Sequence, residues 1–209
     1  MSSHRVRRSD RSKLVRSPRE GAVQVSEVQR ARILAAMVRV VSEHGVGSAT
    51  VARVVSRAGV SRRTFYELFS GCEDCFLAVF EDTVMRASRI ATDAAATAPP
   101  AWREQVRAGL SGLLMFFDDE SSAGSLVVVD ALGAGPTVLE RRTRVLETLA
   151  AIVDQGRGDA KARHEPPPLT AEGVIGAVLS VIHARMLEQG AADRSANGSS
   201  SRSRYAAPG

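Results

Sequence analysis

Cysteine is nearly absent. Cys72 and Cys75 are the two in 209 residues, too few and too close together for a disulfide framework. Lysine is as scarce: Lys13 and Lys161 supply all of it, so the positive charge is almost entirely arginine. With so much Ala, Val and Arg, that bias matches coding from a GC-rich bacterial genome. No apolar run approaches the roughly 18 residues of a membrane span. The basic N-terminus lacks the apolar core and small-residue cleavage site of a secretory signal. A cytoplasmic protein with no membrane partner is expected. There is also no Gly-rich phosphate loop, no nucleophile elbow and no carboxylate pair with a histidine partner, so an enzyme is not expected. His164 and His183 stand apart, and two thiolates do not complete a tetrahedral zinc site, so neither a metal nor a cofactor is expected. Asp118, Asp119 and Glu120 read most simply as a solvated helix end.

What is present is a sizeable apolar fraction, 44%, and an uneven charge. Residues 1–70 hold 14 basic and 5 acidic side chains, whereas residues 71–209 hold 14 and 18. A basic front joined to a mildly acidic rear fits a nucleic-acid-binding end attached to something that does not bind nucleic acid.

The chain is organised around residues 50–69, TVARVVSRAGVSRRTFYELF. Two short helices flank the turn Ala58-Gly59-Val60, and Ser61 is a good N-cap for the second. Val51, Val54, Val55, Ala58 and Val60 join Phe65, Leu68 and Phe69 in one apolar set. Arg62, Arg63, Thr64 and Tyr66 are left outside. That is the plan of a helix-turn-helix, whose second helix enters the DNA major groove. An ordinary helical hairpin with a charged face has the same pattern.

Residues 1–25 are rich in Arg, Ser, Pro and Gly and read as a disordered basic arm. A first helix is expected from Ser26 to His44-Gly45, its apolar stripe made by Val28, Ile33, Leu34, Met37, Val40, Val41 and His44. The hydroxyl of Thr50 at the next helix start suits a phosphate contact. A long helix from Gly71-Cys72-Glu73-Asp74 fades before Pro99-Pro100. Further helices are expected over 102–119, 121–132, 137–155 and 170–189, then a disordered tail over 190–209. The run Leu126-Val127-Val128-Val129 has β-propensity but no partner strand, and is read as helix. The fold class is therefore all-α. The domains expected are the arm, a DNA-binding domain over 26–86, a helical regulatory domain over 87–189 and the tail. Met85, Trp102, Leu113, Phe116, Phe117 and Val128 could line an apolar pocket, although such residues also make plain core.

The segments RILAAMVRVVSEHG, TVARVVSRAGVSRRTFYELF and GCEDCFLAVF, taken in order, resemble the N-terminal domain of the tetracycline-repressor (TetR) family of bacterial transcription regulators. The resemblance covers about 50 residues, from Arg32 to Phe80. It implies a three-helix helix-turn-helix domain followed by a helical domain for dimerisation and ligand binding. It also implies a sequence-specific regulator, more often a repressor, acting as a homodimer on a palindromic double-stranded DNA operator and released by a small apolar effector. The alternative is a non-specific or architectural DNA-binding protein. Nucleoid association would follow from either. By resemblance Ser61 caps the recognition helix, Arg62, Arg63 and Thr64 face bases and phosphates, and Tyr66 and Thr50 contact the backbone. Two departures stand out. Cys72 occupies the place of the family's usual lysine, creating Cys-Glu-Asp-Cys. That pair is either a redox device at a helix N-terminus or an exposed thiol beside a buried one. The rear also reads one helix short of the family's final pair. Either that helix is missing, or residues 137–155 and 170–189 make the dimer contact.

Overall fold

Pro18 is tolerated at the first position of a helix, where its missing N–H costs nothing, and the first helix starts there. The computed structural model describes residues 18–159 and 170–202. Helix α1 spans Pro18–His44, α2 Val51–Ala58, α3 Arg62–Leu68 and α4 Cys72–Thr97. They are followed by α5 Trp102–Asp119, α6 Ser121–Val128, α7 Pro136–Asp159 and α8 Thr170–Arg202. Short 3₁₀ turns occupy Val46–Ser48 and Asp130–Gly133, and no strand occurs among the described residues. The fold is all-α, and the Leu126–Val129 run stays helical through Val128 because burial of Leu126 and Val128 overrides β-propensity.

Two expected boundaries move. Residues 18–25, read as part of the arm, are helical: after Pro18 nothing in PREGAVQV stops a helix, although Val23, Val25 and Val28 remain exposed. Val28 and the half-exposed His44 therefore drop off the predicted apolar stripe, which begins at Ile33. At the far end α8 runs on to Arg202 instead of stopping near Gln189. Glycines in 190–202 weaken a helix by about 1 kcal/mol each without ending it, and no proline intervenes. Residues 1–17 of the arm, 203–209 of the tail and most of the Pro-rich loop lie outside the described residues.

A front core joins Ile33 and Met37 of α1, Val54 of α2, Phe65 of α3, and Phe76 and Phe80 of α4, all at most 2% exposed. Leu126, Ala131 and Val138 pack into the same cluster from the rear. The expected division near residue 86 thus falls inside one continuous helix whose front core already includes the α6–α7 corner. A second core gathers Ala87, Phe116, Phe117, Val128, Ile182 and Met186.

Helices α4 and α5 pack as a close hairpin. A Cβ on Gly112 would lie 3.1 Å from the Cβ of Ala94, and one on Gly109 3.2 Å from the carbonyl oxygen of Ala91. The α6–α7 corner is shaped by Gly135, whose φ of +116° is left-handed and whose added Cβ would lie 2.7 Å from the Glu73 carboxyl. That closeness lets Glu73 Oε1 accept the Thr137 N–H at 3.0 Å. A residue at the start of α4 thereby caps the start of α7.

The chain ends on two long helices packed on each other, α7 of 24 residues and α8 of 33. The expected 170–189 segment is part of this longer α8, and the rear holds the same number of helices among the described residues as the sequence reading gave it.

Candidate nucleic-acid interface and rear cavity

The turn between α2 and α3 is built from local chemistry. Thr50 caps α2, its hydroxyl oxygen accepting the Arg53 N–H at 3.3 Å. Arg53 in turn donates to the Ser48 carbonyl at 2.8 Å, tying α2 to the preceding turn. Gly59 ends α2 at φ 66°, ψ 37°, the left-handed geometry that a Cβ disfavours. Ser61 then caps α3: its Oγ accepts the Thr64 N–H at 3.0 Å and lies 2.9 Å from the Thr64 hydroxyl. One orphan amide at each helix start is satisfied in this way.

Packing sets the rotation of α3. Phe65 is fully buried and meets Phe69 and Tyr66 with ring centroids 5.6 Å apart in both cases. With Phe65 held inward, Arg62, Arg63 and Tyr66 must face outward. Tyr66 is 58% exposed, Arg62 has no partner among the described residues, and Arg63 is held only by Glu67, one turn on, at 2.9 Å. That ion pair is exposed and contributes about 0.3–0.5 kcal/mol, so a guanine edge or a phosphate can displace Glu67 at small cost. Thr50, Ser61, Arg62, Arg63 and Tyr66 are exposed, with Thr64 half-buried, and they lie within α2, α3 and the turn. Arg53, whose side chain braces Ser48, was not singled out in the sequence because it looks like any solvated helix charge.

Supports behind the turn are polar. Asp74 Oδ2 accepts both the backbone N–H and the hydroxyl of Ser70, at 2.8 and 3.1 Å, closing the α3–α4 junction. Arg30 lies over the Phe69 ring at 5.8 Å, and Arg57 pairs with Glu43 of α1. Cys75 is fully buried and its thiol is pushed up to about 12, burial being the main cause, while half-buried Cys72 is also raised by burial. Desolvation disfavours the thiolate at both positions, most strongly at the buried Cys75.

Behind the front core, α4, α5, α6, α7 and α8 line a partly open cavity of about 210 Å³. Of the six pocket candidates, Leu113, Phe117 and Val128 line it. Met85, Trp102 and Phe116 do not. Met85 points to solvent at 64% exposure, Trp102 starts α5 away from the cavity, and Phe116 is turned to Arg86, whose guanidinium lies 5.5 Å from its ring. The helical period makes a residue apolar-facing, but the direction of its neighbours decides which side of the core it reaches. Arg142 and Thr83 line the cavity too, unnoticed in the sequence. Thr83 Oγ1 is buried and has no hydrogen-bond partner among the described residues. A second, more polar groove of about 650 Å³ runs between α1, α4 and the start of α6, bordered by Arg30, Asp82, Arg86 and Glu120. Arg86 crosses it, pairing with Asp82 at 3.0 Å and with Glu120. No group of three or more His, Cys, Asp or Glu placed to hold a metal occurs among the described residues. None of their helices is long and apolar enough to cross a membrane.

Residues 33–79, from α1 to the first turns of α4, match the model of the family described as bacterial regulatory proteins, tetR family. No curated protein matches the chain. Among solved structures it is similar to the fatty acid degradation regulator FadR from Bacillus halodurans, with a TM-score of 0.67 at 18% identity over 77% of this chain and 85% of that one. FadR from Bacillus subtilis in complex with stearoyl-CoA superposes with a TM-score of 0.64 at 16% identity, covering 76% and 88%. A TetR family transcription regulator from Marinobacter aquaeolei gives 0.63 at 22% identity, covering 80% and 88%. The capped helix-turn-helix lies inside the segment that matches the tetR family model, and the helical rear has the same fold as these solved structures.

Proposed function

We propose that the protein is a ligand-responsive repressor that acts as a homodimer on a palindromic operator. The observation that carries this reading is the α3 surface: Arg62, Arg63 and Tyr66 point outward from a helix whose rotation Phe65 fixes and whose start Ser61 caps. Such a helix fits a major groove about 12 Å wide. Arg62 and Arg63 are assigned to base edges, Thr64 and Tyr66 to the groove wall, and Thr50 and Ser61 to phosphate approach at the helix starts. In a two-fold dimer the two α3 helices would read half-sites about 34 Å apart.

Support for the dimer comes from α7 and α8. Leu139 and Ile152 on α7, and Val181 and Leu187 on α8, are between 43% and 59% exposed, the kind of apolar surface that a second copy covers. Along α8, exposed Gly173, Gly176, Ala177 and Ala184 allow another helix to approach closely. Support for an apolar effector comes from the cavity and from the stearoyl-CoA held by the Bacillus subtilis regulator of similar fold. An effector between α4, α5, α6, α7 and α8 would act on the reading head along α4, and through the Glu73 contact to α7, by shifting the population of DNA-competent states.

Footprinting on the DNA upstream of its own gene tests the reading. A protected inverted repeat, bound about 10³-fold or more tightly than random DNA across a salt titration, is the expected result. Equal affinity for both DNAs would leave only the non-specific binder.

A further inference from the structure

The rear cavity is walled almost wholly by hydrocarbon, yet one charged side chain among the described residues borders it. That residue is Arg142, on α7. Its arginine neighbours on the helix are neutralised, Arg141 by Glu81 at 2.9 Å and Arg144 by Glu140. Arg142 has neither an ion pair nor a hydrogen bond among the described residues, and no Asp or Glu borders the cavity. Arg142 is partly exposed, and an anionic group brought to it would exchange water for a charge-assisted hydrogen bond. An uncharged effector would leave the guanidinium to water, and a cationic one would be repelled.

The volume sets a size. An apolar cavity of about 150 Å³ houses benzene, so about 210 Å³ accommodates roughly eight carbons by the same measure. We propose that the effector is an anion with a slim apolar body of about eight carbons, its charged group held by Arg142 and its body lying among Leu113, Phe117, Val128 and Leu146. This rests on the reading of the cavity as the effector site. Two sources share that chemistry, a free medium-chain carboxylate and the phosphate-bearing thioester of the same acyl chain.

Calorimetric titration of the full-length protein with octanoate, octanoyl-CoA, 1-octanol and palmitate tests the idea, in the wild type and in Arg142→Met and Arg142→Lys. At least one octanoyl anion should bind about tenfold or more tightly than octanol, as expected for a charge-assisted contact. Arg142→Met should weaken that anion about ten- to a hundredfold and leave octanol within about twofold, with Arg142→Lys in between. Which anion responds identifies the source. The proposal is overturned if octanol matches both octanoyl anions, if Arg142→Met weakens octanol as much, if palmitate binds as tightly as octanoate, or if no probe binds. A guanidinium that only snorkels to water would produce the first of these outcomes. The same samples are titrated with the DNA upstream of the gene. Specific DNA binding without probe binding sinks this inference and spares the regulator. Arg142-dependent probe binding without preference over random DNA does the reverse.

Discussion

Residue by residue, the reading head separates chemistry from support. Phe65 and Ser61 hold α3 in place, and Arg63, which the proposed function assigns to a base edge, is exposed and held by Glu67. Arg63→Ala should therefore cost about 1–3 kcal/mol of operator discrimination while thermal stability stays put, read by binding to operator and random DNA side by side. An equal loss on both DNAs would refute its base-reading role. Tyr66→Phe should weaken both DNAs alike. The cysteines carry a pH prediction. A thiol raised from 9.0 to about 12 in the folded chain binds its proton more tightly than in the unfolded one. Its contribution to stability is complete below pH 9.0 and is lost as the pH climbs from there towards 12. Alkylation of the native protein at mildly alkaline pH should be slow at Cys75 and rapid once denaturant is added. Fast native labelling would show the thiol to be more accessible than its burial implies.

Among the elements, the junctions hold the interest. Glu73 at the start of α4 accepts the Thr137 N–H at the start of α7 at 3.0 Å, and Gly135 leaves room for it. Gly135→Ala asks for both a strained φ and displacement of the carboxylate. The expected cost is about 1–3 kcal/mol, measured by denaturant unfolding, with a further change in effector-induced release if α7 signals through Glu73. Unaltered stability would mean the corner yields freely. This contact pairs residues 64 positions apart, so no local pattern announces it. The turn between α2 and α3 is the opposite case: Gly59 and Ser61 act on neighbours within a few residues and were readable from order alone. Thr50, placed near the first turn, is instead the N-cap of α2. The outer ends of α1 and α8 were the weakest part of the reading. Residues 18–25 and 190–202 have polar or small side chains that resemble a tail, yet nothing among them stops a helix.

For the whole molecule, head and rear share a core through Leu126, Ala131 and Val138, so the head is not hung on a loose linker. Motion of α6 or α7 must repack against Phe76 and Phe80, which is how a rear event could reach α3. The exposed apolar residues of α7 and α8 predict a concentration-dependent dimer. Val181→Arg should shift sedimentation towards monomer and lower operator affinity, because each half-site would then be bound without its partner. A monomeric wild type that binds its operator fully would remove the dimer from the mechanism.

The amino-acid order by itself determined the all-α class, the capped helix-turn-helix and the outward set from Arg62 to Tyr66. Each depends on helical period, turn chemistry and capping, which act over one or two turns of chain. Only the tertiary structure decided that Cys75 is fully buried, that Met85, Trp102 and Phe116 miss the cavity, and that Arg142 and Thr83 reach it. Those outcomes depend on which helices line a shared space. A cavity wall drawn from α4, α5, α6, α7 and α8 has no period in the sequence.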